Sequence, residues 1–129
     1  MNTELTYLAL TSVLTGLLWV PYVLDLILVR GVIDAVGYPE NPKPIAKWAQ
    51  RLKAAHYNAV ENLVVFAALV LVAHAAGIHS AAIATSAMVY FWARVVHAVA
   101  YTFAIPWVRT LAFVAGVAAQ MCIAWQILA

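Results

Sequence analysis

Four long apolar stretches constrain the fold of this chain more than any other feature. They cover approximately residues 5–29, 54–76, 81–104 and 109–128. An α-helix rises about 1.5 Å per residue, so roughly 20 apolar residues cross the hydrocarbon core of a bilayer. Only 9% of the residues are charged, whereas soluble domains carry about 25%. The sequence therefore predicts an all-α integral membrane protein, with residues 1–129 forming one four-helix bundle in contact with membrane lipid.

The start of the chain and its cysteine content exclude several classes of protein. Residues 1–4 lack the basic start of a secretory signal, so we expect the first apolar stretch to be a retained helix. Cys122 is the only cysteine, which excludes an internal disulfide and a cysteine metal cluster. The net charge of +2 is too small to indicate nucleic acid binding, and we predict no metal site.

Most of the basic residues of the chain lie in or beside the first connection, residues 31–46. It contains Gly37, Pro39, Pro42 and Pro44, residue types that end helices. Five of the seven basic residues flank or occupy it, namely Arg30, Lys43, Lys47, Arg51 and Lys53. Because positive residues favour the cytoplasmic side of a membrane, we expect this loop to be cytoplasmic and both termini to face the opposite side.

The second span has a polar side. Successive residues of a helix are about 100° apart, so Asn58, Glu61 and Asn62 fall on one stripe with Arg51. A carboxylate inside an apolar span is rare and costly, and it indicates a functional site by default. His56 points roughly the other way. It fits equally well as a histidine at the headgroup boundary or as part of a contact between subunits.

The third span has a polar side of its own. Arg94, His97 and Tyr101 are spaced i, i+3 and i+7, which places them on one face. An arginine near the middle of a span costs roughly 3 kcal/mol on insertion scales, so Arg94 needs a partner. Glu61 lies at a compatible depth in the second span, and the sequence therefore predicts a Glu61–Arg94 ion pair.

These polar residues converge at one depth. Because the second span leaves the cytoplasmic side and the third returns to it, their polar residues fall in the cytoplasmic half. Arg109 and Thr110 begin the fourth span at that level, and Arg30 ends the first. The sequence predicts a polar pocket that opens to the cytoplasm and has an excess of positive charge, as an anionic ligand requires.

Three motifs together resemble a known family. They are His56-x-Asn58-x-x-Glu61-Asn62 in the second span, Arg94-x-x-His97-x-x-x-Tyr101 in the third and Arg109-Thr110 at the start of the fourth. With the long basic first loop, this pattern resembles a bacterial-type member of the MAPEG family, the membrane-associated proteins of eicosanoid and glutathione metabolism. The resemblance covers essentially the whole chain.

The resemblance implies a homotrimer that binds glutathione as co-substrate between subunits and transfers it to lipophilic electrophiles or reduces hydroperoxides. The catalytic residues implied are Arg109, which would favour the thiolate, and Thr110, which would donate to the sulfur. Asn58 and Glu61 would hold the glutathione backbone. The other implied binding residues are Arg94, His97 and Tyr101 in the same pocket and Arg30, which would meet a carboxylate.

Departures from the family pattern favour an alternative. Many catalytic members have an arginine at the position of Ala54, some have one at the position of Tyr57, and a common tyrosine is Phe113 here. Fewer arginines mean weaker binding of a dianionic ligand, so the alternative is a non-catalytic scaffold that binds lipid or a partner protein. A proton or ion pathway has little support, because no polar stripe continues into the outer half of the spans.

Overall fold

The computed structural model describes residues 1–129 and consists of five α-helices. They are α1 (Thr3–Leu17), α2 (Trp19–Val36), α3 (Lys47–Ala75), α4 (Ala81–Thr102) and α5 (Pro106–Leu128). The helices α1 and α2 form one apolar segment, so the chain has four candidate membrane spans. The predicted all-α architecture with four spans is confirmed, and the chain is an integral multi-pass membrane protein.

A break at Leu18 separates α1 from α2 and has its cause in Pro21. Proline lacks a backbone N–H, and its ring clashes with the carbonyl four residues earlier, here that of Leu17. The helix α1 ends at Leu17, and the Leu18 N–H bonds to the Thr15 carbonyl at 3.4 Å, one residue short of the α-helical partner. The two helices therefore form one span with a kink.

The first span runs further than predicted. Residues 32–36 were expected to belong to a loop, but α2 continues through them to Val36. The backbone departs from helical geometry at Gly31, with φ 77° and ψ 162°, in a region essentially restricted to glycine. Gly31 thus kinks α2 and interrupts its helical geometry, the chain is helical again after it, and the connection itself is residues 37–46.

Hydrogen bonds fasten this connection to the helices. Asp25 in α2 accepts a bond from the backbone N–H of Ala46 at 2.8 Å, just before α3 begins. Ala46 is the N-cap residue of α3 and has no side chain that could cap the helix. The Asp25 carboxylate binds the backbone N–H of this residue, as the third helical residue does in a capping box. Arg30 donates from Nε to the Lys43 carbonyl at 2.7 Å.

Alanine, larger aliphatic and aromatic side chains form the core. Phe66 of α3 and Tyr90 of α4 stack with ring centroids 3.9 Å apart, and both are fully buried. A Cβ added at Gly116 of α5 would lie 3.7 Å from the Tyr90 ring, so α5 approaches α4 closely there. Large apolar side chains such as Trp92 and Trp125 are mostly exposed on the outside, where a membrane protein contacts lipid.

The helix directions give the bundle two distinct ends. The connection 37–46 and the α4–α5 turn lie at one end, which we call the loop end. Both termini and the α3–α4 turn lie at the opposite end, where Glu4 Oε1 and His79 Nδ1 are 3.1 Å apart. The last turns of α4 and the first turns of α5 therefore meet at the loop end, near the first turns of α3.

Candidate functional site

A polar groove of about 300 Å³ opens between α3, α4 and α5 in the half of the bundle nearer the loop end. Six side chains line it: Asn58, His97, Tyr101, Arg109, Thr110 and Phe113. Five of these residues belong to or adjoin the sequence motifs, and three different helices contribute them. The structure therefore brings together, within one protomer, most of the residues that the sequence singled out.

Arg109 dominates the electrostatics of the groove. It is the only charged side chain among the lining residues, and no carboxylate lies within salt-bridge distance of it. Its guanidinium carbon lies 4.7 Å from the centroid of the Tyr101 ring, as in a cation–π contact. The His97 ring packs edge-on against Tyr101 with centroids 5.6 Å apart. The groove thus presents one fixed positive charge on an aromatic wall, which suits an anion.

Thr110 lies beside Arg109 in the first turn of α5 and is exposed. Its hydroxyl donates to the Pro106 carbonyl of its own helix at 3.3 Å. That distance is long for a bond between a hydroxyl and an oxygen, which normally measures about 2.5–3.0 Å. A rotation about the Cα–Cβ bond therefore costs little and makes the hydroxyl available as a donor in the groove.

Behind the groove, Arg94 is 3% exposed and is held by amide and imidazole groups. Its Nη2 donates to the Asn58 Oδ1 at 2.8 Å and lies 3.4 Å from the His97 Nδ1. Asn62 also donates to the backbone carbonyl of Asn58, at 2.9 Å. This network fixes the orientation of the Asn58 amide and thereby the wall of the groove.

The predicted Glu61–Arg94 ion pair is wrong for the protomer. The one salt bridge in the structure joins Glu4 and His79, and Glu61 is exposed. Residues three apart on a helix point about 60° away from each other. The helix α3 is turned so that Asn58 faces α4, and the same rotation directs Glu61 out of the protomer.

Two buried polar residues near this network were not singled out from the sequence. Gln120 of α5 is 4% exposed and donates to the backbone carbonyl of Asn62 at 3.1 Å. Tyr90 is 1% exposed, and its hydroxyl, like the Arg94 Nε, has no hydrogen-bond partner. The sequence could have indicated the role of Gln120, because a polar residue inside a membrane span usually forms hydrogen bonds with a neighbouring helix.

The structure separates Arg30 from the groove. Arg30 lines another cavity of about 420 Å³, between the end of α2 and the start of α3, together with Tyr22 and Lys53. His56 lies on the same side of α3, and its Nδ1 is 2.7 Å from the Tyr22 hydroxyl. Within the protomer His56 therefore contacts a tyrosine of the preceding span, not the groove.

Comparison with known proteins agrees with the residue pattern. The model of the MAPEG family matches residues 7–129, which is nearly the whole chain. None of the curated proteins and none of the solved structures compared with the chain matches it.

Proposed function

Because this chain belongs to the MAPEG family of membrane proteins of eicosanoid and glutathione metabolism, we propose that it is a glutathione-dependent transferase or peroxidase. Its substrates are lipophilic electrophiles or hydroperoxides. The observation that supports this most directly is the uncompensated Arg109 guanidinium in a groove shared by three helices. We propose that this groove binds glutathione and that Arg109 stabilises its thiolate.

The position of Arg109 suits that role. A free thiol has a pKa near 8.5, and a neighbouring arginine lowers it, which raises the thiolate fraction at neutral pH. Arg109 lies in the first turn of α5, where the unpaired backbone N–H groups add partial positive charge. Thr110 would add a hydroxyl donor to the sulfur in place of its long bond to Pro106.

The other lining residues would hold the peptide part of glutathione. Asn58 keeps its side-chain oxygen bonded to Arg94, so its amide N–H₂ is the group that remains for the ligand. His97 and Tyr101 provide the wall of the groove. Arg94 acts in this proposal through Asn58, as a positioning residue.

Glu61 and Arg30 require a neighbouring protomer in this proposal. Both were predicted to bind glutathione, and neither lines the groove of its own protomer. Glu61 points outward from α3, so a homotrimer that seals the groove would enclose the carboxylate and let it accept from the glutathione amino group. The same assembly would bring Arg30 of the neighbour towards a ligand carboxylate.

A reaction between glutathione and a lipophilic substrate needs access to the site from both water and lipid. We propose that the loop end is cytoplasmic, so that glutathione enters the groove from water and the second substrate arrives from lipid. In a transfer, the thiolate sulfur forms a carbon–sulfur bond as the electrophile loses its leaving group. In a peroxidase reaction, two glutathiones become a disulfide while the hydroperoxide becomes an alcohol and water.

Turnover by the purified protein in detergent tests the proposal. We expect glutathione-dependent conjugation of 1-chloro-2,4-dinitrobenzene or reduction of cumene hydroperoxide, and competition by S-methylglutathione, which fills the groove but has no free thiol. The uncharged Ala54 favours the alternative of a non-catalytic scaffold. Absence of both reactions at millimolar glutathione, with a folded protein, would support the scaffold and contradict the enzyme.

A further inference from the structure

Two buried polar atoms near the middle of α4 have no hydrogen-bond partner within the protein. They are the Tyr90 hydroxyl and the Arg94 Nε, and the two residues are 1% and 3% exposed. Tyr90 lies close to the midpoint of α4, at the depth of the hydrocarbon core, where lipid offers no hydrogen bonds to a polar group. The partner of each atom must therefore lie inside the bundle.

The two atoms belong to one small region of the interior. Tyr90 and Arg94 are four residues apart, which places them one turn apart on the same face of α4, and they are close enough to interact electrostatically. Gln120 follows Gly116 by one turn of α5, and Gly116 faces the Tyr90 ring. The Gln120 side chain lies beside the Tyr90 hydroxyl, although its geometry is not that of a direct hydrogen bond. Polar groups from two helices therefore converge at this point.

The donors and acceptors in this region match a water molecule. The Arg94 Nε can only donate, whereas the Tyr90 hydroxyl can donate and accept. Gln120 donates from Nε2 to the Asn62 carbonyl, so its Oε1 remains as an acceptor. A buried water typically makes about three hydrogen bonds with otherwise unpaired groups and serves as both donor and acceptor. An anion such as chloride would suit Arg94 and Tyr90, but the Gln120 oxygen would repel it.

We propose that Tyr90, Arg94 and Gln120 bind one internal water molecule in the middle of the bundle. The water holds the Nε edge of the Arg94 guanidinium, whose Nη2 donates to the Asn58 Oδ1. It thereby extends the polar network behind the groove roughly 10 Å beyond His97, the rise of seven helical residues. This inference does not depend on the proposed function, because it concerns only unpaired atoms of the protein itself.

Removal of the Tyr90 hydroxyl tests the site through the stability of the full-length protein. If the hydroxyl binds the water, Tyr90→Phe should raise the equilibrium constant of unfolding about three- to tenfold, as the loss of one hydrogen bond implies. If the hydroxyl is simply unpaired, the same variant removes an unsatisfied buried group and should leave that constant unchanged or lower it. Tyr7→Phe is the matched control, because Tyr7 is a half-buried tyrosine of α1 outside the network, and it should change the constant by less than about twofold.

The same substitution in an Arg94→Met background shows whether the two residues share the water. We expect the effect of Tyr90→Phe to fall below about twofold there, because the water has already lost its charged donor. An undiminished effect in that background, or a Tyr90→Phe variant as stable as the unmodified protein, would overturn the proposal.

Crystals of the protein grown in bromide distinguish water from an anion. We expect electron density within hydrogen-bond distance of the Tyr90 hydroxyl, the Arg94 Nε and the Gln120 Oε1, without an anomalous signal from bromide. An anomalous peak at this position would show a halide site instead of a water site. A direct hydrogen bond between Tyr90 and Gln120, with no density between the three atoms, would also contradict the proposal.

Discussion

Replacing Arg109 with alanine should lower kcat/KM for conjugation by about 100- to 1,000-fold, the usual effect of removing one donor that stabilises a reacting anion. Within the protomer, Arg109 is the only charged group that lines the groove, so no other lining residue can take over its role. Most of the loss should appear in kcat, because the peptide contacts through Asn58 and Tyr101 stay in place. Steady-state kinetics with glutathione as the varied substrate measure this effect.

Arg109→Lys is the matched control, because it retains a positive charge but not the planar guanidinium on Tyr101. We expect it to keep a substantial part of the activity. Circular dichroism and the oligomeric state in detergent should not change in either variant. A fully active Arg109→Ala protein would show that the groove is not the catalytic site.

Replacing Asn58 with leucine should lower the free energy of unfolding by about 3 kcal/mol. Arg94 would then be a buried cation without its 2.8 Å acceptor, and its Nε already has no partner. Unfolding in mixed micelles of dodecyl maltoside and dodecyl sulfate, followed by circular dichroism, measures the change.

A second substitution shows whether the loss of stability comes from the unpaired Arg94 charge or from the altered packing at residue 58. In the double variant with Arg94→Met the uncompensated cation is gone, and apolar replacements for a buried polar pair are often neutral. We expect the double variant to recover to within about 1 kcal/mol of the unmodified protein. If the two losses simply add, Asn58 and Arg94 do not act as a pair and the network described here is incorrect.

The motifs on α3 and α4 contained most residues of the candidate site, because helical periodicity assigns side chains to faces. Asn58, His97 and Tyr101 share the groove with Arg109 and Thr110, as their spacing and depth implied. The periodicity could not choose between Asn58 and Glu61 as partner of Arg94. That choice depends on the rotation of α3 about its own axis, which packing against α2, α4 and α5 decides.

Two other features depended on tertiary contacts that the sequence does not display. The chain is helical again after the kink at Gly31, which has φ 77°, whereas composition alone suggested a loop. Arg30 was grouped with the pocket by depth, but depth does not specify which side of the bundle a residue occupies. The connection 37–46, tied to α2 through Asp25 and Arg30, places Arg30 in a separate cavity.

The pKa of glutathione bound to the protein tests the central claim most directly. The ultraviolet absorbance of the thiolate, recorded against pH with the S-methyl analogue as blank, reports that pKa without any second substrate. If Arg109 stabilises the thiolate, the bound thiol should titrate at least one unit below its free value of about 8.5, and this shift should disappear in Arg109→Ala. A bound thiol that titrates like free glutathione would contradict the account.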